Sequence, residues 1–439
     1  MSQPAKTNHR VLVLGAYGLI GAAVVRRLLV EGYDVIGLGR DQQTSQSVLP
    51  QISWIIRDLS DLCERSDWSA LIHGTDFVVN CAGALQDSPN DNLDAVHHRA
   101  IAALVGACEE ADVGIIQISA VGAAADASTR FLRSKAQGDA LVRAAKVPVW
   151  IYRPGLVIAQ TSYGGSAMLR MLAAFPLVQP LAHADAQVQT VGSADIAEAV
   201  VLAVRGDVSA GLECDLVEDV PTTLGDVVLK HRIWLGFGPP WCTVLLPGWA
   251  MTLTSKMADL LGVLGWRSPL RSTGVRVLRN GVTGDPSGWL VATGKRIPTL
   301  DETLTSLTAG VEQRQSARMS LVMPLVFCTL FFFWLSSGVI GFLQVDAASR
   351  VLRDVGWTAQ LAMASVLFWS IVDIAIAFGL LVRKFAAWSC WAMIAVSLIY
   401  LASATLVVPA LWLDPLGPLV KVVPGIVLAL IARMLLDDR

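Results

Sequence analysis

The stretch VLVLGAYGLIG, residues 11–21, begins with apolar residues suited to a buried strand and runs into a helix start through Gly15, Gly18 and Gly21. A tight strand-to-helix turn needs glycine's backbone freedom, and a pyrophosphate approaches closely only where side chains are missing. The helix that follows offers free N–H groups and the positive end of its dipole. Gly15, Tyr17, Gly18, Leu19, Ile20 and Gly21 are therefore candidates to cradle a dinucleotide. The end of the second strand selects among dinucleotides, because an acid there binds a ribose 2′-hydroxyl and an arginine pairs with a 2′-phosphate. GLGRD puts Arg40 at that point, which predicts NADP. Asp41 follows at once and takes the acidic role of an NAD site if the strand ends one residue later.

Outward from the turn, short apolar runs recur at residues 34–39, 52–56, 76–81, 113–119 and 147–152, separated by amphipathic stretches at 19–30, 93–110 and 131–145. Apolar strands alternating with helices predict an α/β fold, a doubly wound parallel sheet covered on both faces. We assign this Rossmann-type domain to residues 1–215. The regularity fades over residues 216–312, where Pro239, Pro240, Pro247, Pro269 and Pro286 break the pattern, and a smaller appended lobe is expected there. Within it WAMTLTSKMADLLGVLGW, residues 249–266, reads as an amphipathic helix flanked by Trp, serving either ordinary packing or membrane-surface contact.

Beyond VEQRQSAR the character changes. Residues 319–343 and 385–413 carry no formal charge, 357–382 carry only Asp373, and 415–436 carry Lys421 and Arg433 near their ends. Each run reaches the roughly 20 residues needed to cross about 30 Å of hydrocarbon, so residues 316–439 predict an all-α bundle of four transmembrane helices. With a cytosolic N-terminus, Arg314, Arg318, Arg383, Lys384, Arg433 and Arg439 fall on the inner side, against Arg350 and Arg353 outside, plus Lys421 if it faces that way. This bias predicts a multi-pass protein of the cytoplasmic (inner) membrane with the Rossmann domain in the cytosol. Residues 1–10 are polar and glycines interrupt the apolar run after them, unlike a secretory signal. Asp373, near the middle of its span, either handles protons or polar headgroups or fixes packing through an interhelical hydrogen bond. Lys421 opens its span and has the reach to snorkel.

The totals agree with a membrane portion. Hydrophobic residues make up 54% and charged residues 16% of the 439, against roughly 45–50% and about 25% in soluble domains. A formal net charge of -2 without basic clusters leaves no footprint for nucleic acid. The seven cysteines are scattered without C-x-x-C pairs, and no metal site is expected.

Taken together, several motifs give the chain a family likeness. They are the glycine pattern, Asp58-Leu59 after the third strand, NCAG (Asn80, Cys81, Ala82, Gly83) after the fourth, Ser119 ending the fifth, Lys135 four residues after an aromatic, and Arg153-Pro154-Gly155 after the sixth. This set resembles the short-chain dehydrogenase/reductase superfamily. More narrowly it resembles the atypical, extended branch that includes NmrA-like proteins and the 39 kDa NAD(P)H-binding accessory subunit of respiratory complex I. The membrane segment, with Asp373 and KVVP (residues 421–424), is similar to the DoxX-like domain. The resemblance implies that Asp58 and Leu59 border the adenine, that Ala82, Gly83 and Pro154 line the cofactor, that Lys135 holds the nicotinamide ribose, and that Ser119 polarises a substrate oxygen, whereas Ser119 read by itself serves either that role or simple strand-end hydrogen bonding.

The family's acid/base is a tyrosine, and the matching position is Phe131. A phenyl ring neither donates nor accepts a proton, so the usual route of carbonyl reduction is absent at that position. His97 and His98 are either substitute proton carriers or structural residues, and Tyr17, Tyr152 and Tyr163 are further hydroxyls to place. Two functions are expected: an NADP- or NAD-dependent oxidoreductase acting on a quinone-like or lipid-like substrate at the bilayer, or a non-catalytic nucleotide-binding assembly or redox-sensing protein with membrane-complex partners.

Overall fold

A computed structural model describes residues 9–89, 91–415 and 417–436. Residues 1–8 and Arg439, both used in the sequence reading, lie outside the described residues.

Six strands, β1 (Arg10–Leu14), β2 (Asp34–Gly39), β3 (Ser53–Ile56), β4 (Phe77–Asn80), β5 (Gly114–Ile118) and β6 (Val149–Pro154), join Glu213–Leu216 in one sheet. The spatial order from one edge is Glu213–Leu216, β6, β5, β4, β1, β2, β3. Every pairing is parallel, with Leu14 opposite Leu38 on one side and Asn80 on the other. Alternate residues feed opposite faces: Val11, Val13 and Val35 enter one apolar cluster, Leu12, Leu14 and Leu38 the other. Both faces are covered, which is why the strands are apolar almost throughout.

The connecting helices are α1 (Leu19–Glu31), α2 (Gln42–Val48), α3 (Arg65–Ser69), α4 (Ala100–Ala111) and α5 (Arg130–Arg143). The single helix expected over residues 93–110 differs in the structure, where a π-helical turn, Ala95–Arg99, precedes α4. Its wider winding turns His97 inward, where it is 3% exposed.

By its internal contacts the chain forms two compact units. One holds the described residues up to Asp259 together with Ser268–Ala317, and the other holds Leu260–Arg267 together with the described residues from Arg318 onward. In the first, a third apolar cluster gathers Ile158, Leu181, Val188, Leu224, Val228 and Leu300. The buried Glu218 ties it together, accepting from Thr190 N (2.8 Å), Thr190 Oγ1 (2.7 Å) and Leu300 N (3.0 Å).

Ala359–Leu381 and Arg383–Val407 in the second unit, and the 33-residue helix Val311–Leu343, which belongs to that unit from Arg318 onward, are long and apolar enough to cross a membrane. The polar VEQRQSAR is helical and opens that first helix. The run at 415–436 yields only a 14-residue helix, Val422–Leu435. Pro415, Gly417 and Pro418 disfavour helix at its start, so the fourth segment falls short of the roughly 20 residues of a full span. Small residues let these helices approach: a Cβ on Gly338 would meet Ser370 O at 2.6 Å, and one on Gly379 would meet Ser389 Oγ at 2.6 Å.

Candidate functional site

The order of the sheet reverses between β1 and β4, and in open parallel sheets ligands bind outside the carboxyl ends of the strands at such a switch point. Gly15 sits there at φ +68°, and a Cβ on it would come within 2.9 Å of Ala82 Cα. Its N–H donates to Leu38 O (2.9 Å), and Gly18 N donates back to Gly15 O (2.9 Å), closing the turn. A Cβ on Gly21 would collide with Gly15 O. Helix α1 has no side-chain cap and no acid in its first turn, so the N–H groups around Leu19 and Ile20 are left for an anion. This bare, glycine-lined helix start fits a dinucleotide pyrophosphate.

The ends of β2 and β3 carry a charged cluster. Arg40 Nη1 lies 2.9 Å from Asp91 Oδ1 and 3.5 Å from Asp58 Oδ2. Burial opposes the Arg40 charge, but Asp91 and Asp58 outweigh it and its pKa is raised. Asp58 also accepts from Ser60 N (2.9 Å) and Ser60 Oγ (2.8 Å), while Leu59 is buried in the sheet-face core. Asp41 is engaged otherwise. It caps α2 by accepting from Thr44 N at 2.7 Å, and Thr44 lowers its pKa. The Tyr17 ring packs on Gly39 and beside Trp54, its centroid 6.0 Å away, between the glycine turn and Arg40's strand.

On the other side of the turn, Asn80 accepts from Ala82 N (3.1 Å) and donates to Gln117 (2.8 Å), which positions Ala82 and Gly83. Lys135, one turn into α5 and 5% exposed, donates to Ile118 O (3.0 Å) and Ala82 O (3.4 Å). Burial pulls its pKa down against the opposing pull of Asp139. A Cβ on Gly83 would lie 3.2 Å from Lys135 Nζ and 3.3 Å from His97 Nε2, so these three residues form one wall.

His97 is fully engaged. Its Nε2 accepts from Ala84 N (3.2 Å), and its Nδ1 lies 2.8 Å from Ser134 Oγ, which itself donates to Phe131 O (2.8 Å). The ring is therefore the Nδ1–H tautomer, and burial, with Lys135 second, holds its pKa well below the usual range. Its role is to fasten the Ala82–Gly83 loop to α5, not to carry protons. His98 points outward to Asp94 (3.3 Å). Phe131 meets the His97 ring edge-on at 6.0 Å.

Ser119 does not point freely into a cleft. Its hydroxyl donates to Asp139 Oδ2 at 2.7 Å, and Arg153 lies 3.4 Å from the same oxygen and 2.8 Å from Glu213. Burial raises the pKa of Asp139, opposed by Ser119 and Arg153. Asp139 went unnoticed in the sequence, although its place one helical turn after Lys135 was a usable signal. Pro154, at the end of β6, is buried and accepts from Val121 N (3.2 Å). Tyr152 lies in the sheet core with its hydroxyl on Ala199 O (3.2 Å), and Tyr163 is 59% exposed before a later helix. Neither adjoins the glycine turn. In the helical unit Asp373 accepts from Ser337 Oγ (2.8 Å), and Lys421 is exposed just before Val422–Leu435.

Residues 11–207 match the NAD dependent epimerase/dehydratase family, and residues 331–430 match the DoxX-like family. The mitochondrial NADH-ubiquinone oxidoreductase 40 kDa subunit of Neurospora crassa is 26% identical over 150 residues, covering 34% of this chain and 40% of that protein. Subunit 9 of the mitochondrial NADH dehydrogenase [ubiquinone] 1 alpha subcomplex from Arabidopsis thaliana is 24% identical over 203 residues, 45% of this chain and 50% of that one. The chain thus spans half the length or less of these curated relatives. The Bordetella bronchiseptica enzyme WbmG, crystallised in complex with NAD, shares the fold at a TM-score of 0.52 and 17% identity, over 72% of this chain and 96% of its own. The chain thus joins a segment similar to the NAD dependent epimerase/dehydratase family to a helical segment similar to the DoxX-like family.

Proposed function

We propose, with that fusion as the premise, that the protein is a membrane-anchored NAD(P)H-dependent oxidoreductase whose substrate is apolar, of quinone-like or lipid-like chemistry. The observation that carries the reading is the pairing of the uncapped glycine turn with the buried Lys135 ammonium, fixed on Ile118 O and Ala82 O beside Gly83. When bound, the dinucleotide supplies a hydride from its nicotinamide. The glycine turn holds its pyrophosphate, Asp58 and Leu59 border the adenine, Lys135 orients the ribose, and Arg40 exchanges its carboxylate partners for a 2′-phosphate, which favours NADP over NAD. Ser119 orients substrate only by releasing Asp139. Phe131 withdraws the family's proton relay, and a quinone that accepts hydride can take its proton from water instead. The DoxX-like helices hold the active unit at the inner membrane with its Rossmann domain (residues 1–215) and lobe (216–312) cytosolic, and Asp373 serves polar contacts within residues 316–439.

Purified full-length protein should bind NADPH more tightly than NADH, Arg40→Ala should narrow that gap, and NADPH should be consumed with quinones or lipid carbonyls. Holding NADPH without oxidising it for any acceptor would overturn the catalytic reading. Phe131, together with the likeness to two complex I subunits, favours a second reading: a nucleotide-binding assembly or redox-sensing protein. It requires a stoichiometric membrane partner whose binding differs between NADPH and NADP, and equal binding in both states would eliminate it.

A further inference from the structure

The helix Gly248–Val263 carries its apolar side outward. Trp249, Leu253, Met257, Leu260 and Val263 follow one another at intervals that keep them on one helical stripe, and they are 72%, 58%, 53%, 58% and 64% exposed. The inward side is made of Ser255, Ala258 and Gly262. A helix on a water-facing protein has the reverse arrangement, and an exposed contiguous apolar face marks a contact site. The face extends back along the chain through Leu245 and Trp241, 67% and 80% exposed.

We infer that this helix lies in the headgroup layer of a phospholipid bilayer with its stripe turned to lipid. Three features select lipid over a protein partner. First, the stripe runs into Leu260–Arg267, which belongs to the unit of membrane-length helices. There Arg383 N donates to Leu264 O (2.9 Å) and the Trp266 indole donates to Leu381 O (2.6 Å). Second, the charges suit phosphate headgroups: the helix's one acid, Asp259, is occupied by Gln86 (3.0 Å) and Ser272 N (3.2 Å), whereas Lys256 stands exposed on the stripe side. Third, Thr252 and Thr254 donate to Gly248 O (2.8 Å) and Ala250 O (2.9 Å), so their hydroxyls need no water. The tryptophans suit the interface for the same reason, a broad apolar ring with one polar N–H.

The test uses full-length protein in proteoliposomes, with the exposed Cys242 and Cys328 changed to Ser and an environment-sensitive dye on Leu253→Cys or Met257→Cys. The control is the dye on Val30→Cys, at an isolated exposed residue of α1 (77%). Emission at both stripe positions should shift to the blue of the control and be quenched several-fold more by lipid carrying a nitroxide near its headgroup. Quenching equal to that of the control would overturn the inference. So would a blue shift without lipid quenching, or one that follows protein density instead of lipid, which would identify a second copy of the chain as the occupant.

Discussion

Exchanging Lys135 for Met keeps the volume of a buried side chain and removes an ammonium that donates to Ile118 O and Ala82 O. Loss of a charge-assisted contact of about 1.5–3 kcal/mol should weaken dinucleotide binding roughly ten- to a hundredfold, with folding little changed because a desolvated charge is also removed. Calorimetric titration of the Lys135→Met variant checks this, and unchanged affinity would remove Lys135 from the site. His231 supplies a pH signature. It is fully buried, and burial lowers its pKa from 6.5 to about 4, with the contact to Val227 O opposing. Between those values the unfolded chain binds a proton that the folded one refuses, so stability falls as pH drops from about 6.5 to about 4, by about 3 kcal/mol in all. Thermal melts at descending pH should show this slope, and His231→Leu should flatten it. Lys135 is singled out in the sequence by its place four residues after an aromatic, the spacing that carries the family resemblance, and the structure sets its ammonium on the carbonyls of Ala82 and Ile118. The network that joins Arg153 to Asp139 and Glu213 was not legible there, because it links a strand, a helix and an edge strand whose charges look like ordinary surface residues until the register is known.

The proposed nucleotide site is built on the β1–α1 turn, where a side chain on Gly21 would drive into the Gly15 carbonyl. A methyl group there drives into Gly15 O, so Gly21→Ala should lift α1 off the turn and abolish measurable dinucleotide binding. Circular dichroism should still report a folded protein, and wild-type affinity in this variant would contradict the site. Strands β1 to β6 were readable within a residue or two because buried parallel strands are apolar throughout, whereas the edge strand Glu213–Leu216 alternates charged and apolar residues and was not. The start of α4 was not: whether residues 95–99 wind as α or π depends on His97 reaching Ala84 N and Ser134, contacts without a periodic signature. Nor was the short Val422–Leu435 helix, since hydropathy counts apolar residues but not the prolines and glycine that keep a helix from starting.

At the scale of the molecule the apolar clusters of the sheet and lobe are distinct from the one built by Leu330, Trp334, Leu380 and Met393 in the helical unit. Dinucleotide at about 100 times its Kd should therefore raise the unfolding transition of the first unit by about 2.7 kcal/mol and leave that of the membrane-length helices in place. Differential scanning calorimetry in nanodiscs resolves the two, and a common shift of both would show that they unfold together. The division into a sheet-bearing part and a part of membrane-length helices was plain from composition, but the path of the chain between them was not. Leu260–Arg267 belongs to the second unit, although the first is completed only by Ser268–Ala317. During synthesis Trp266 leaves the ribosome 115 positions before Leu381, whose carbonyl its indole binds. The two units are therefore not assembled strictly in succession: the nascent first unit already displays, in Leu260–Arg267, a segment that is completed only once the later helices have been translated.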